Sequence, residues 1–284
     1  MMLKTSITVK RDAREYARVR ELGYDAVDYN GMCSAPGEGV FALSDREFEQ
    51  ELLKDRRAIE EAGLWVCQAH GVWPYDDTRP ELKEMKRQAM LRSIRGAAIL
   101  GTEFIVVHPA MPYGWEESPH HDADVQENIG YLESLIPYAE QCGVRIALEN
   151  MPCIQLPCGR VEEQVRCIDA VDSPYLVACL DVGHSTALGY DAGDAVRMLG
   201  RRLRCLHVHD NDGKSDLHWL PYYGKTDWKR FADALCEVGY KGTISLETSV
   251  AERMPNLPES LLAEGERWLS GMAKHLARQA TGAV

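Results

Sequence analysis

Residues 203–228 read LRCLHVHDNDGKSDLHWLPYYGKTDW, a short apolar run that empties into three histidines (His207, His209, His218) and three aspartates (Asp210, Asp212, Asp216). The run at 203–208 has the length and composition of a buried strand. Ionisable groups at the end of such a strand add nothing to a hydrophobic core, and burying them costs free energy unless they are paired or bound. Imidazole and carboxylate together form the mixed donor set that zinc, manganese and iron prefer. One polar loop of this kind is ordinary. A metal site requires other strands to deliver matching donors to the same place.

The same transition recurs along the chain. LWVCQAHG ends near His70, TEFIVVHP near His108, and VRIALEN at Glu149 and Asn150. YLVACLDVGH carries Asp181 and, three residues on, His184; LRCLHVHDN carries His207 and His209; GTISLE ends at Glu247. A lone strand-end histidine is usually a hydrogen-bonding loop residue, and a lone glutamate a solvated boundary. Six consecutive strands that each end this way are hard to explain so. Carboxylates crowded on one rim repel one another unless a cation neutralises them. A divalent metal site is the reading the set favours.

Such convergence needs an architecture that brings strand ends together, and the rest of the chain supplies its pattern. LKTSITV and YDAVDYN read as two earlier strands, with a helical segment at 11–21 between them. Ser44 or Asp45 can cap a second helix with Glu47 in its first turn and Phe48, Leu52, Ile59 and Ala62 on one face. Further helices are expected at 80–100, 161–170 and 192–199, around Trp228, Phe231, Ala232 and Leu235, and as a final amphipathic helix at 260–278. Between the fourth and fifth strands, Val125, Ile129, Leu132, Ile136 and Ala139 mark one helical stripe, which Pro137 should bend or locally break. About eight strands, each followed by a helix, predict an α/β fold, a (β/α)8 TIM barrel with an extra C-terminal helix. A doubly wound open sheet would carry a glycine-rich turn after its first strand, and ITVKRDARE has none. No linker or composition break appears, so residues 1–284 are expected to form a single domain. In such barrels the site lies at the C-terminal strand ends, where the polar residues fall.

Composition narrows the partners. The formal net charge of −12 argues against general affinity for nucleic acid or anionic membranes. No apolar run approaches the ~20 residues needed to span a bilayer, and the first twenty residues do not read as a signal peptide. Nine cysteines without a CxxC pair are expected as reduced thiols in a cytoplasmic protein. The acidic exterior is compatible with a monomer, a homodimer or a homotetramer.

Taken in order, AHG at 69–71, VHP at 107–109, LEN at 148–150, DVGH at 181–184, HVHDND at 207–212, DLH at 216–218 and LE at 246–247 make the chain resemble a known superfamily. It is that of the sugar phosphate isomerases/epimerases, built on the xylose isomerase-like barrel and shared with endonuclease IV-type enzymes. The resemblance runs from the first strand to the eighth. It implies one divalent ion (Zn, Mn, Mg or Co) between Glu149, Asp181, His207 and Glu247. The endonuclease IV branch implies further donors at His70 and His108 beside Glu149, and at His184 with Asp216 and His218; in related isomerases His184 contacts substrate instead. Asp210 and Asn211 read as groups that support the ligands or fix the loop.

The implied function is a metal-dependent sugar or keto-polyol isomerase or epimerase. Glu149 and Glu247 would pass a proton through an enediolate, and His184 would orient the substrate oxygen. Trp73, Trp115, Trp219 and Tyr222 are candidates for the pocket wall, or else simple loop anchors. Two features bear on the branch. DVGH is the form common among the isomerases, whereas the arginine that free-ketose epimerases place after the seventh-strand histidine is absent, with only Lys214 in that stretch. The alternatives are a related lyase or dehydratase resembling inosose dehydratase, an endonuclease IV-type phosphodiester hydrolase, and a barrel that only binds carbohydrate.

Overall fold

The structure, a computed structural model, describes residues 2–73, 80–114 and 121–282. Along the first half run β1 (Lys4–Val9), α1 (Ala13–Glu21), β2 (Ala26–Tyr29), α2 (Asp45–Glu61), β3 (Val66–His70), α3 (Pro80–Leu100), β4 (Phe104–Val107) and α4 (His121–Cys142). The second half continues with β5 (Arg145–Glu149), α5 (Val161–Val171), β6 (Leu176–Asp181), α6 (Val182–Ala187), α7 (Ala192–Leu199) and β7 (Leu203–His207). It ends with α8 (Trp228–Glu237), β8 (Thr243–Leu246), α9 (Val250–Arg253) and α10 (Glu259–Gln279). Each strand from β1 to β7 pairs with its sequence neighbour, and β1 also pairs with β8. All these pairings are parallel. The ring closes at Val208, between the two histidines of HVH. Its N–H donates to the Ser245 carbonyl at 2.8 Å, and its own carbonyl accepts from the Glu247 N–H at 3.1 Å. The fold is the expected (β/α)8 barrel with a C-terminal helix.

The local causes are visible in α2. Ser44 accepts from the Glu47 N–H while the Glu47 carboxylate accepts from the Ser44 N–H, a reciprocal cap that satisfies two groups the helix start leaves open. Gly63, at φ 75°, reverses the chain after that helix in a conformation side chains disfavour. Phe48, Leu52 and Ile59 are buried on the face turned to the barrel. Pro137 lies inside α4, which runs unbroken from 121 to 142. The carbonyl the proline leaves without a donor belongs to exposed Glu133, where water can satisfy it, so the expected break does not occur. The segment DVGH also differs from an extended strand end: β6 stops at Asp181, whose side chain caps α6 and places His184 on that short helix.

Residues two apart on a strand share a face. Ala147 therefore lies beneath Glu149, Cys179 beneath Asp181 and Cys205 beneath His207, and with Val106 and Val177 they form one apolar cluster. This small-residue plug fills the barrel below the rim and denies the polar groups above it any contact with water from that side. All nine cysteines are free thiols. Among the described residues no helix is long and apolar enough to cross a membrane.

Candidate metal centre

Glu149, Asp181 and His207 are the last residues of β5, β6 and β7, and Glu247 follows β8. Each brings one donor atom within 4.8 Å of the other three. His207 Nδ1 stands 2.7 Å from Glu149 Oε1 and 3.4 Å from Glu247 Oε2. Its other nitrogen, Nε2, lies 3.1 Å from Asp28 Oδ2. Asp28, on β2, is itself held by Gln68 Nε2 at 2.8 Å and Ser245 Oγ at 3.0 Å. With the ring proton on Nε2, the Nδ1 lone pair faces two carboxylates, a repulsive arrangement unless a proton or a cation lies between them. Metal-ligating histidines commonly have their second nitrogen donating to a carboxylate or carbonyl in this way.

Two more donor groups adjoin the first. His70 Nε2 and His108 Nε2 lie 3.4 and 3.0 Å from Glu149 Oε2. That oxygen is buried without a hydrogen-bond partner, so Glu149 turns one oxygen to each of two groups. Asp216 Oδ2 lies 3.4 Å from His184 Nε2 and 3.3 Å from His218 Nε2, and His209 completes this outer group. His184 Nδ1 donates to the Asn150 carbonyl at 2.7 Å, His218 Nδ1 to the Glu247 carbonyl at 2.8 Å, and His70 Nδ1 to the Gly71 carbonyl at 3.2 Å. Each ring thus leaves its other nitrogen free to coordinate. Separations near 3.3–3.4 Å are long for a hydrogen bond but match the edge of a tetrahedron whose ligands lie about 2.0–2.1 Å from its centre. The residues fit a divalent ion.

Electrostatics separate the two glutamates. Burial pushes both carboxyls up, but in Glu149 the adjoining imidazoles, His207 first, outweigh it and hold the group well below its usual range. Glu247 remains raised by burial and by its neighbours Glu149 and Asp181, which outweigh His207. His108, buried and close to other imidazoles, is lowered to about 4 despite Glu149, which keeps it neutral and able to coordinate. His218 holds φ 48°, a left-handed conformation unusual for a side-chain-bearing residue, while its carbonyl accepts from Thr248 Oγ1 at 2.5 Å.

All nine residues singled out by sequence for donor roles meet at this rim. His184 has Nε2 turned to Asp216, which favours the outer group over substrate contact. The sequence reading left two residues out of the site. Asp28 could have been noticed as a carboxylate inside a buried strand, AVDY. His209 was visible at the end of the seventh strand but carried no assigned role. Asp210 fixes the loop, as expected: it accepts from the N–H groups of Asn211, Gly224, Lys225 and Thr226, from Thr226 Oγ1 and from Trp228 Nε1, all at 2.9–3.1 Å. Among the aromatics, Trp73 stands edge-on to His108 with centroids 5.8 Å apart. Tyr222 instead packs on Trp228 and His275, as a loop anchor. Trp115 lies outside the described residues.

Asp28→Asn keeps the volume and one acceptor oxygen while removing the charge that fixes the His207 proton. It is expected to weaken divalent-ion binding roughly 10–100-fold with little change in fold. Chelator competition measures this, and an unchanged affinity would mean that Asp28 only fills space.

The profile of the family described as a xylose isomerase-like TIM barrel matches residues 16–272. An uncharacterised protein of Methanocaldococcus jannaschii is 30% identical over 220 residues, covering 74% of this chain and 72% of that protein. The fructoselysine 3-epimerase of Escherichia coli O157:H7 is 28% identical over 117 residues, 41% of this chain and 42% of the enzyme. A crystal structure of D-psicose 3-epimerase, determined in the presence of D-fructose, superposes with a TM-score of 0.78 at 15% identity. It covers 97% of this chain and 99% of that one, a likeness of fold.

Proposed function

Because the chain belongs to the xylose isomerase-like TIM-barrel family, we propose that it is a sugar epimerase or isomerase working with a divalent ion held by Glu149, Asp181, His207 and Glu247. The observation that carries this reading is that two glutamates from different strands converge on one imidazole nitrogen, at 2.7 and 3.4 Å. The partial likeness to a fructoselysine 3-epimerase supports it.

A bound divalent ion would polarise the carbonyl and hydroxyl oxygens of a ketose and so acidify the adjacent C–H. The chain's own groups then handle the proton. Glu149, held ionised by His207 and His108, is the group suited to accept it, and Glu247, whose carboxyl is raised, the group suited to supply one. Return to the opposite face of the same carbon inverts it; return to the neighbouring carbon isomerises. The apolar plug below the rim limits water around the exchanging proton from that side. A cavity of about 360 Å³ opens beside His218 and Glu247; its wall includes Thr8, Asn30, Thr248 and Ser249 together with charged groups such as Arg18 and Arg253, a polar lining that suits a polyhydroxylated chain. Asn30 Oδ1 is buried there with no hydrogen-bond partner, an acceptor that a hydroxyl could fill.

The test is proton exchange. Protein loaded with Mn²⁺ or Co²⁺ and incubated with free ketohexoses in D₂O is expected to introduce deuterium beside the carbonyl, and a chelator to stop it. Absence of exchange across the ketohexoses, with the ion shown to be bound, would sink the reading. Phosphodiester hydrolysis has one observation of its own, the presence of three adjoining donor groups instead of one. Cleavage of abasic-site DNA by zinc-loaded protein would favour it, although the net charge of −12 opposes DNA binding.

A further inference from the structure

We infer that His209 is a positioning residue that sets the Asp181 carboxylate, and that Gly183 is a glycine because the His209 ring occupies the space where its side chain would be. The inference rests on the proposed ion site at Glu149, Asp181, His207 and Glu247. Asp181 is the carboxylate that touches both the inner and the outer donor groups, with Oδ2 3.7 Å from His184 Nε2. How its plane is turned decides which lone pairs face an ion. Two donors turn it, one local and one from the next strand. The His184 N–H donates to Oδ1 at 2.7 Å, and His209 Nε2 lies 3.0 Å from Oδ1 and 3.1 Å from Oδ2, within hydrogen-bond reach of both oxygens.

His209 differs from most of the histidines around it. His70, His184 and His218 each donate through Nδ1 to a backbone carbonyl and leave Nε2 free to coordinate, and His207 has Nε2 3.1 Å from Asp28 Oδ2 with Nδ1 toward the inner donors. The Nδ1 atoms of His108 and His209 are both buried without a partner. His108 Nε2 faces one oxygen of Glu149, whereas His209 Nε2 lies within hydrogen-bond reach of both oxygens of Asp181. With its proton on Nε2, where that acceptor is, the His209 imidazole supports a ligand instead of being one.

The ring is held in a slot. On one side it stacks on the His218 imidazole, centroids 3.9 Å apart and planes within 13°. On the other it lies so close to Gly183 that a Cβ there would collide with three ring atoms. Asn211 Nδ2 donates to the Gly183 carbonyl at 2.6 Å and ties the two segments together. The glycine of DVGH and the second histidine of HVH are thus two halves of one contact.

The experiment measures Mn²⁺ affinity by chelator competition, and the melting temperature of the ion-free protein, for wild type, His209→Ala, His209→Gln, Gly183→Ala and the Gly183→Ala/His209→Ala double variant. Alanine removes the whole ring and cannot reach Asp181; glutamine places its amide near the Nε2 position. His209→Ala and Gly183→Ala are each expected to weaken Mn²⁺ binding about 10–100-fold, with His209→Gln recovering part of the loss. The double variant is expected to be no weaker than His209→Ala alone, because the added methyl group then meets the space the ring has left. Wild-type affinity in both His209 variants, with only the melting temperature lowered, would overturn the positioning role. Losses that simply multiply in the double variant would overturn the role given to Gly183. A wild type that takes up no Mn²⁺ fails earlier, at the ion site itself, and takes this inference with it.

Discussion

Glu149→Gln is expected to abolish epimerase or isomerase turnover, by a factor of at least about 10³–10⁴, and to lower the bound-ion content of purified protein. The reason is that this side chain serves two donor groups at once, Oε1 toward His207 and Oε2 toward His70 and His108. A glutamine keeps the volume but presents one neutral oxygen and one N–H donor, so at least one group faces an amide hydrogen where it needs a lone pair. It also removes the proposed base, and loss of general-base catalysis alone is commonly worth about 10²–10⁴ in rate. Asp216→Ala should act differently, because Asp216 belongs to the outer group and is not among the four inner donors. Elemental analysis of protein purified without chelator separates the cases. Loss of an ion in Glu149→Gln with retention in Asp216→Ala supports the inner site as the seat of sugar chemistry. Two or three zincs in wild type, one of them missing in Asp216→Ala, would move the balance toward hydrolysis. Full ion content and turnover in Glu149→Gln would refute the assignment.

Asp210→Ala is expected to be the most destabilising substitution near the site, at about 3–5 kcal/mol. Six donors point at this one buried carboxylate. Each buried donor left without a partner costs roughly 1–3 kcal/mol, and some of the loop N–H groups can turn to water, which keeps the total below the simple sum. For a chain of this size that corresponds to a fall in melting temperature of roughly 6–20 °C. The damage should spread to function, because residues 211–227 carry Asp216 and His218. Asp210→Asn should cost about half as much: it keeps an oxygen toward Asn211, Lys225 and Thr226 but turns an amide against the Gly224 and Trp228 donors. Equal stability of Asp210→Ala and wild type in thermal unfolding would show that the loop is held by other contacts.

The barrel was legible because its causes are local. Alternating strand and helix periods, the Ser44–Glu47 cap and glycines after the helices each act over a few residues, and a parallel barrel is the arrangement that buries both faces of so many apolar strands. The donors were legible for a related reason. In this fold the end of a strand is a place, so His70, His108, Glu149, Asp181, His207 and Glu247 could be assigned to one rim before any coordinate was known. Pro137 shows where local rules overreach, since an exposed carbonyl made harmless what a buried one would not have tolerated.

How the donors divide among themselves was decided by the tertiary structure. Sequence order does not say that Glu149 turns one oxygen to His207 and the other to His70 and His108, because both contacts come from strands far along the chain. It does not say which nitrogen of His207 faces the other donors; Asp28, contributed by β2, stands 3.1 Å from Nε2 and leaves Nδ1 toward Glu149 and Glu247. Nor does it pair Gly183 with His209, two residues that look unrelated until the pairing of β6 with β7, which sets Asp181 beside His207, brings their segments into contact. By itself the sequence determined which elements form and which residue types reach the rim, since secondary structure and strand parity are short-range properties. The direction of each lone pair and the partner of each proton were left to the packed barrel, because a hydrogen bond to a buried imidazole is set by whatever group a distant strand places within 3 Å of it.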